Sequence, residues 1–220
     1  MNKIYVLFFW VMVIFFSAKT NAQRKLSEGS ITYDISINSS DSNSRIAEMF
    51  DGAVSVVYIK GFLSKSEMIS SLGVQSTITN SKTGNVNILK EYGEQKYMIL
   101  LTLENWRDAN KKFEDIKFIY EEDFKTIKGY KCQKAVGLLS DGTTFTVYFT
   151  KELMPENYNF QYANKTLPGL ALEYESTLGK IKVTYKASNI SFNPVPVSKF
   201  DIPKSGFRIL TYEESKKLEN

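Results

Sequence analysis

IKGYKCQKAVGLLSDGTTFTVYFT, residues 127–150, and TLPGLALEYESTLGKIKVTY, residues 166–185, set the architecture of this chain. Each reads as two apolar-alternating runs around a turn signal, the pattern of a β-hairpin. In the first, Asp141-Gly142 tolerates both positive φ values of a type I′ turn, which predicts Ser140 opposite Thr143. Leu138 then faces Phe145 and Val136 faces Val147, all four on one side of the sheet. In the second, a turn at Ser176-Thr177-Leu178-Gly179 predicts Glu175 opposite Lys180 and Glu173 opposite Lys182. The dry side then sets Tyr174 against Ile181, Leu172 against Val183 and Leu170 against Tyr185. A one-residue slip would send each of these side chains to the other face, so the apolar pattern sets the register and the charge pairs refine it.

Outward from these hairpins, the upstream chain also reads as strands. Ile31, Tyr33, Ile35 and Ile37 alternate with polar residues, and Val54, Val56 and Tyr58 alternate again. Candidate strands follow at 62–69, 74–79, 86–92, 96–103 and 116–120. The connections between them are too short for parallel crossovers, so an antiparallel meander is expected. Short helices are expected near 44–50, 104–112 and 211–219, the first and last capped by Ser44 and Thr211. Residues 23–29 read as a loose polar lead-in, 121–123 as an acidic turn, 193–196 as an extended connector and 200–208 as irregular.

Residues 1–22 read as a signal peptide and residues 23–220 as one β-rich domain. Lys3 precedes an unbroken apolar run from Ile4 to Phe16, which is short of the ~20 residues of a membrane span. Thr20-Asn21-Ala22 offers a cleavage site before Gln23, so no membrane span is expected in the mature chain. The alternative is an uncleaved anchor. With no Cys near that site, a lipid anchor there is excluded. These features point to export, to the periplasm or cell envelope of a bacterium.

Net charge is +4, and +2 once Lys3 and Lys19 are removed, because residues 1–22 carry no acid. No basic stripe accompanies it, so no nucleic-acid partner is expected. Thirteen Tyr and fifteen Phe suit pleated, half-buried faces. Histidine is absent, which excludes Ser-His-Asp triads and His-ligated zinc or haem. Cys132 is the single cysteine, so there is no internal disulfide, thiolate cluster or CxxC pair, and the residue reads as a small buried hydrophobe. No phosphate-binding glycine motif occurs, and no cofactor, metal or catalytic residue is expected. Ser64-Lys65-Ser66 is the nearest approach to a Ser-Lys hydrolase, and the acids at 114–115 and 121–123 the nearest to a calcium or carboxylate-pair site.

Aromatic dry faces of an exported antiparallel sheet suit an apolar ligand, a lipid or acyl chain, held on a concave face. The candidate ligand-binding residues are Tyr130, Phe145, Leu170, Tyr174 and Tyr185. The alternative is a structural or protein-interaction module, with a filled core and an envelope protein as partner.

With these residues in view, the chain resembles the exported bacterial family named for a Gly-Leu-Pro-Gly-Leu-Ile motif. It resembles a neighbouring exported family of unknown function more closely. The boxes are Ile127–Ala135, Tyr148-Phe149-Thr150 and Thr166-Leu167-Pro168-Gly169-Leu170-Ala171-Leu172-Glu173, with Thr166 and Ala171 departing from the motif. Segments 61–67 and 97–98 match the neighbouring family too. The resemblance implies a mainly β fold, an antiparallel sheet curled into a half-open, lipoprotein-carrier-like barrel with a few short helices on its concave side. It brings no catalytic residues.

Overall fold

The computed structural model describes residues 23–37, 45–50, 52–178 and 181–219. The expected signal peptide, the Ser44 cap and the Gly179 turn position lie outside them. Twelve strands form one open sheet in the order β14-β7-β6-β5-β4-β3-β2-β13-β12-β10-β9-β8. Its meander comprises β2 (Glu28–Ile37), β3 (Val54–Lys60), β4 (Leu63–Ser70), β5 (Gly73–Asn80), β6 (Asn85–Tyr92) and β7 (Gln95–Leu101). The second half comprises β8 (Lys117–Ile127), β9 (Tyr130–Leu138), β10 (Thr144–Thr150), β12 (Leu170–Leu178) and β13 (Ile181–Ser191). β2 and β13 pair antiparallel and join the halves. The expectation of a mainly β, mostly antiparallel, unclosed sheet with a few short helices holds. The helices are α1 (Arg45–Phe50), α2 (Leu103–Ala109) and α3 (Tyr212–Glu219).

Three segments differ from expectation. Residues 23–29 are not loose: β1 (Arg24–Leu26) pairs in parallel with β11 (Leu153–Pro155), and Leu26 is fully buried among Ile31, Ile59, Leu153 and Leu172. β14 (Arg208–Leu210) likewise adds in parallel to β7. The acidic run 121–123 is a bulge inside β8 rather than a turn, since Tyr120 pairs with Ala135 but Phe124 with Gln133. Lys134 holds the bulge, 3.0 Å from Glu121 and 4.0 Å from Asp123, and the Tyr148 hydroxyl donates to Asp123 at 2.8 Å.

Both hairpin registers are corrected. In the first, Phe145 pairs with Gly137 and Val147 with Ala135, one residue from the expected pairing. Asp141-Gly142 serves a three-residue loop: the Gly142 N–H donates to the Leu139 carbonyl and the Leu139 N–H to the Thr143 carbonyl, with Gly142 at φ +83°. That is a type I turn followed by a glycine bulge, and it moves Val136 and Leu138 to the face opposite Phe145 and Val147. Packing favours this outcome, because the Phe145 ring lies over Gly137, where a Cβ would come within 2.4 Å of it. In the second hairpin Tyr174 pairs with Tyr185, Glu173 with Lys186 and Leu178 with Ile181. The ladder is displaced toward the hairpin tip and runs from Glu173–Lys186 to Leu178–Ile181. The shift is even, so the expected faces survive while the partners change.

The meander buries both faces. On one, Ser55, Val57 and Ile59 are buried; on the other, Ile78, Leu89 and Met98 pack with Val195 of the connector and Phe200 of the 3-10 turn Val197–Phe200 that follows it. Val54, Val56 and Tyr58, which alternate in sequence, therefore end half-buried on that second face.

Candidate functional site: two chambers on the concave face

Two chain segments lie across the concave side of the sheet. The first is α2 with the 3-10 turn Lys111–Phe113 that follows it. Thr102 starts α2 in a capping box, accepting from the Asn105 N–H while its own N–H donates to the Asn105 side chain, each at 3.2 Å. The second is the 3-10 stretch Asn159–Asn164, kinked at Gln161. Gln161 accepts from the Ala171 N–H at 3.3 Å and donates to the Gly169 carbonyl at 3.4 Å, tying the segment to the start of β12. The two segments clamp each other. Trp106 meets Tyr162 edge-on at 5.7 Å, and Glu114 accepts from the Tyr162 hydroxyl and, at 2.9 Å, from the Lys165 ammonium. Those two donors, Tyr162 foremost, hold the Glu114 carboxyl below its usual range despite partial burial.

Beneath this lid lie two chambers that share Tyr174 and Ser176 as a wall. The first, about 260 Å³, lies over β2–β5 and β12–β13. Its sheet side carries Tyr33, Tyr174 and Tyr185. Tyr174 stacks on Tyr185 at 4.9 Å and meets Tyr33 edge-on at 5.6 Å, while the Tyr33 hydroxyl donates to the Ala171 carbonyl at 2.9 Å. Burial pushes all three phenols upward, Tyr185 to about 12.

The second chamber, about 420 Å³, lies at the tips of the two hairpins and is walled by Phe113, Leu139, Phe145, Ala163 and Tyr174. Its rim carries Lys112, Asp141, Glu175 and Lys182, of which Lys182 lies 3.3 Å from Glu175 and Asp141 accepts the Thr143 N–H at 2.8 Å. Burial raises the Glu175 carboxyl, but the Thr146 N–H it accepts at 2.8 Å and the Lys182 ammonium outweigh this and hold it low.

Of the residues expected to bind, Tyr174 lines both chambers, Tyr185 the first and Phe145 the second. Leu170 is fully buried in the core, and Tyr130 packs half-buried against the same cluster; neither lines a chamber. Tyr33, Trp106, Tyr162 and Asn164 are lining residues that the sequence reading did not single out. The dense Asn/Tyr/Gln composition of residues 157–164 was the available signal, inside what read as a polar connector.

The Ser64-Lys65 pair is not assembled as a Ser-Lys couple. Strand alternation sends Lys65 to the face opposite Ser64, where it pairs with Glu67 at 2.7 Å, while Ser64 hydrogen-bonds Thr79 at 2.7 Å. Among the described residues no group of three or more acids or cysteines is placed to hold a metal ion. No helix among them is long and apolar enough to cross a membrane.

No family model and no curated protein matches the chain. Among solved structures, an uncharacterized conserved protein from Thermus thermophilus is similar over 92% of this chain and 99% of its own, with 13% identity and a TM-score of 0.51. PNGF-II, in its C2 and P21 crystal forms, is similar over 84% and 87% of this chain, with 15% and 12% identity and TM-scores of 0.46 and 0.47. The chain spans about a third of PNGF-II, 30% and 33% in the two forms. At 13% identity the likeness to the Thermus protein is one of fold alone.

Proposed function

We propose that this is an exported, non-enzymatic protein of the bacterial envelope that holds an apolar ligand, a lipid or acyl chain, on the concave face of its sheet. The observation that carries the reading is the second chamber: about 420 Å³, walled by Phe113, Leu139, Phe145, Ala163 and Tyr174. That volume falls within the ~300–1,000 Å³ of ligand pockets, and an apolar wall under a lid is their usual form. The apolar run at residues 4–16 and the resemblance to exported families support the location. The alternative, a protein-interaction module, draws on the edge strand β8, where Ile119, Tyr120 and Phe124 are exposed.

Native mass spectrometry of gently purified protein separates the two. A co-purifying mass in the lipid range is expected, and Phe145→Asp, which sets a carboxylate in the apolar wall, is expected to remove it. Consistent absence of bound mass from the unmodified protein overturns the ligand reading in favour of the interaction module.

A further inference from the structure

The first chamber differs in kind from the second. Asp, Glu, Lys and Arg make up 24% of the chain, yet none lines this space. The walls are of two sorts. Aromatic rings come from Tyr33, Tyr174 and Tyr185 on the sheet and from Trp106 and Tyr162 on the lid. Neutral hydrogen-bonding groups come from Ser66, Gln75 and Thr77 on β4 and β5, with Asn110 and Asn159 contributed by the lid segments.

Many of these groups have unused capacity. Among the described residues, no hydrogen bond is made by the side chains of Ser66, Thr77 and Asn159 or by the Tyr174 hydroxyl. Among the described residues the Tyr185 hydroxyl has only the Met68 sulfur, at 4.0 Å. Gln75 accepts from Tyr92 at 3.3 Å, which leaves its amide N–H groups unused, and Asn110 donates to the Trp106 carbonyl, which leaves its own amide oxygen.

These walls select by elimination. A charged ligand would give up its hydration without meeting a counter-charge. A purely apolar ligand would cover the hydroxyls and amides and leave them unpaired. A neutral ligand with several hydroxyls around an apolar face satisfies both walls, its C–H face on the tyrosine rings and its hydroxyls on the Ser, Thr, Asn and Gln groups. The volume, about 260 Å³, is below that of pockets for drug-sized ligands, so the chamber suits one ring rather than a chain. We propose that the first chamber is a binding site for a neutral, hydroxyl-rich ring of the sugar class. This goes beyond the apolar-ligand reading and does not depend on it, because the two use different walls and share only Tyr174 and Ser176.

Saturation-transfer NMR and calorimetry on the full chain test it with four probes of similar size: methyl glucoside, methyl N-acetylglucosaminide, the anionic methyl glucuronide and the cationic methyl glucosaminide. At least one neutral probe is expected to bind with Kd near or below ~1 mM, and the charged probes at least roughly tenfold more weakly. Thr77→Asp, which places a charge in the chamber, is expected to weaken the neutral probe at least roughly tenfold, while Thr77→Ser retains binding. Phe145→Asp, in the other chamber, is expected to leave sugar binding unchanged even where it removes a lipid. Failure of both neutral probes to bind overturns the proposal, as does equal affinity for charged and neutral probes. The neutral-versus-charged comparison uses the unmodified chain, so it stands even if a substitution impairs folding. Loss of lipid without loss of sugar binding tells the two readings apart.

Discussion

Gly169 shows how one residue can hold a strand junction in place. A Cβ there would sit 2.0 Å from the Thr150 carbonyl oxygen, so only glycine lets β12 begin beside the end of β10. Gly169→Ala is expected to destabilise the fold by about 2–3 kcal/mol in urea titration, because the obstacle is backbone rather than a movable side chain. Cys132 is the opposite case, a reactive group made inert by its surroundings. It is fully buried against Ile127, Leu153 and Leu172, and burial pushes its thiol up to about 12. Because the thiolate is the reactive form, a thiol reagent at neutral pH is expected to leave Cys132 unlabelled in the native protein and to label it on unfolding. The reading of Cys132 as a buried hydrophobe came from its place on an apolar strand and agrees with the structure. The clash that reserves position 169 for glycine depends on β10, about twenty residues earlier in the chain, and local sequence does not contain it.

At the scale of elements, the lid is held by one clamp. The Tyr162 hydroxyl and then the Lys165 ammonium depress the Glu114 carboxyl, so the carboxylate's contribution is present at neutral pH and is lost as pH falls through that lowered value. Hydrogen exchange in residues 103–113 and 159–165 is therefore expected to accelerate below the ordinary glutamate range of about 4.3, ahead of the sheet. Glu114→Gln is expected to raise exchange in the same segments at neutral pH and to remove its acid dependence. Equal exchange in lid and sheet across this range would show that Glu114 does not govern the lid. The hairpins teach a related point about elements. Strand identity was legible from alternation, but register was not, because Asp-Gly serves both a two-residue turn and a three-residue loop with a bulge. What separated them was the Phe145 ring needing Gly137 beneath it and edge-on contact with Phe118 at 6.0 Å.

At the scale of the whole molecule, Tyr33, Tyr174 and Tyr185 join the β2–β13 seam to both chambers. All three are favoured in the neutral form by burial, so the native state keeps protons that the unfolded chain loses. Stability is then unaffected below about pH 10 and falls as pH rises from there toward about 12 and beyond. An alkaline unfolding transition is expected, with Tyr185 alone accounting for up to about 2 kcal/mol by pH 12, and Tyr185→Phe is expected to flatten the slope. Circular dichroism against pH checks this; an unchanged slope in the variant would remove Tyr185 from the account.

The sequence by itself determined that this chain is mainly β and largely antiparallel, with short helices at about the observed places. Alternation of apolar residues, short connections and capping residues such as Thr211 are local signals, and each acts within a few residues of where it is written. It also excluded histidine-based and disulfide chemistry by composition alone. The tertiary structure decided what depends on segments distant in sequence: that residues 24–26 become a strand beside 153–155, that the two hairpins take their observed registers, and that the segment 159–164 closes over the sheet against Trp106. The division into a chamber with an apolar wall and a charged rim and a charge-free polar one was decided there too. A chamber wall is assembled from single residues on many strands, and which of their two faces points inward is set by packing across the whole sheet.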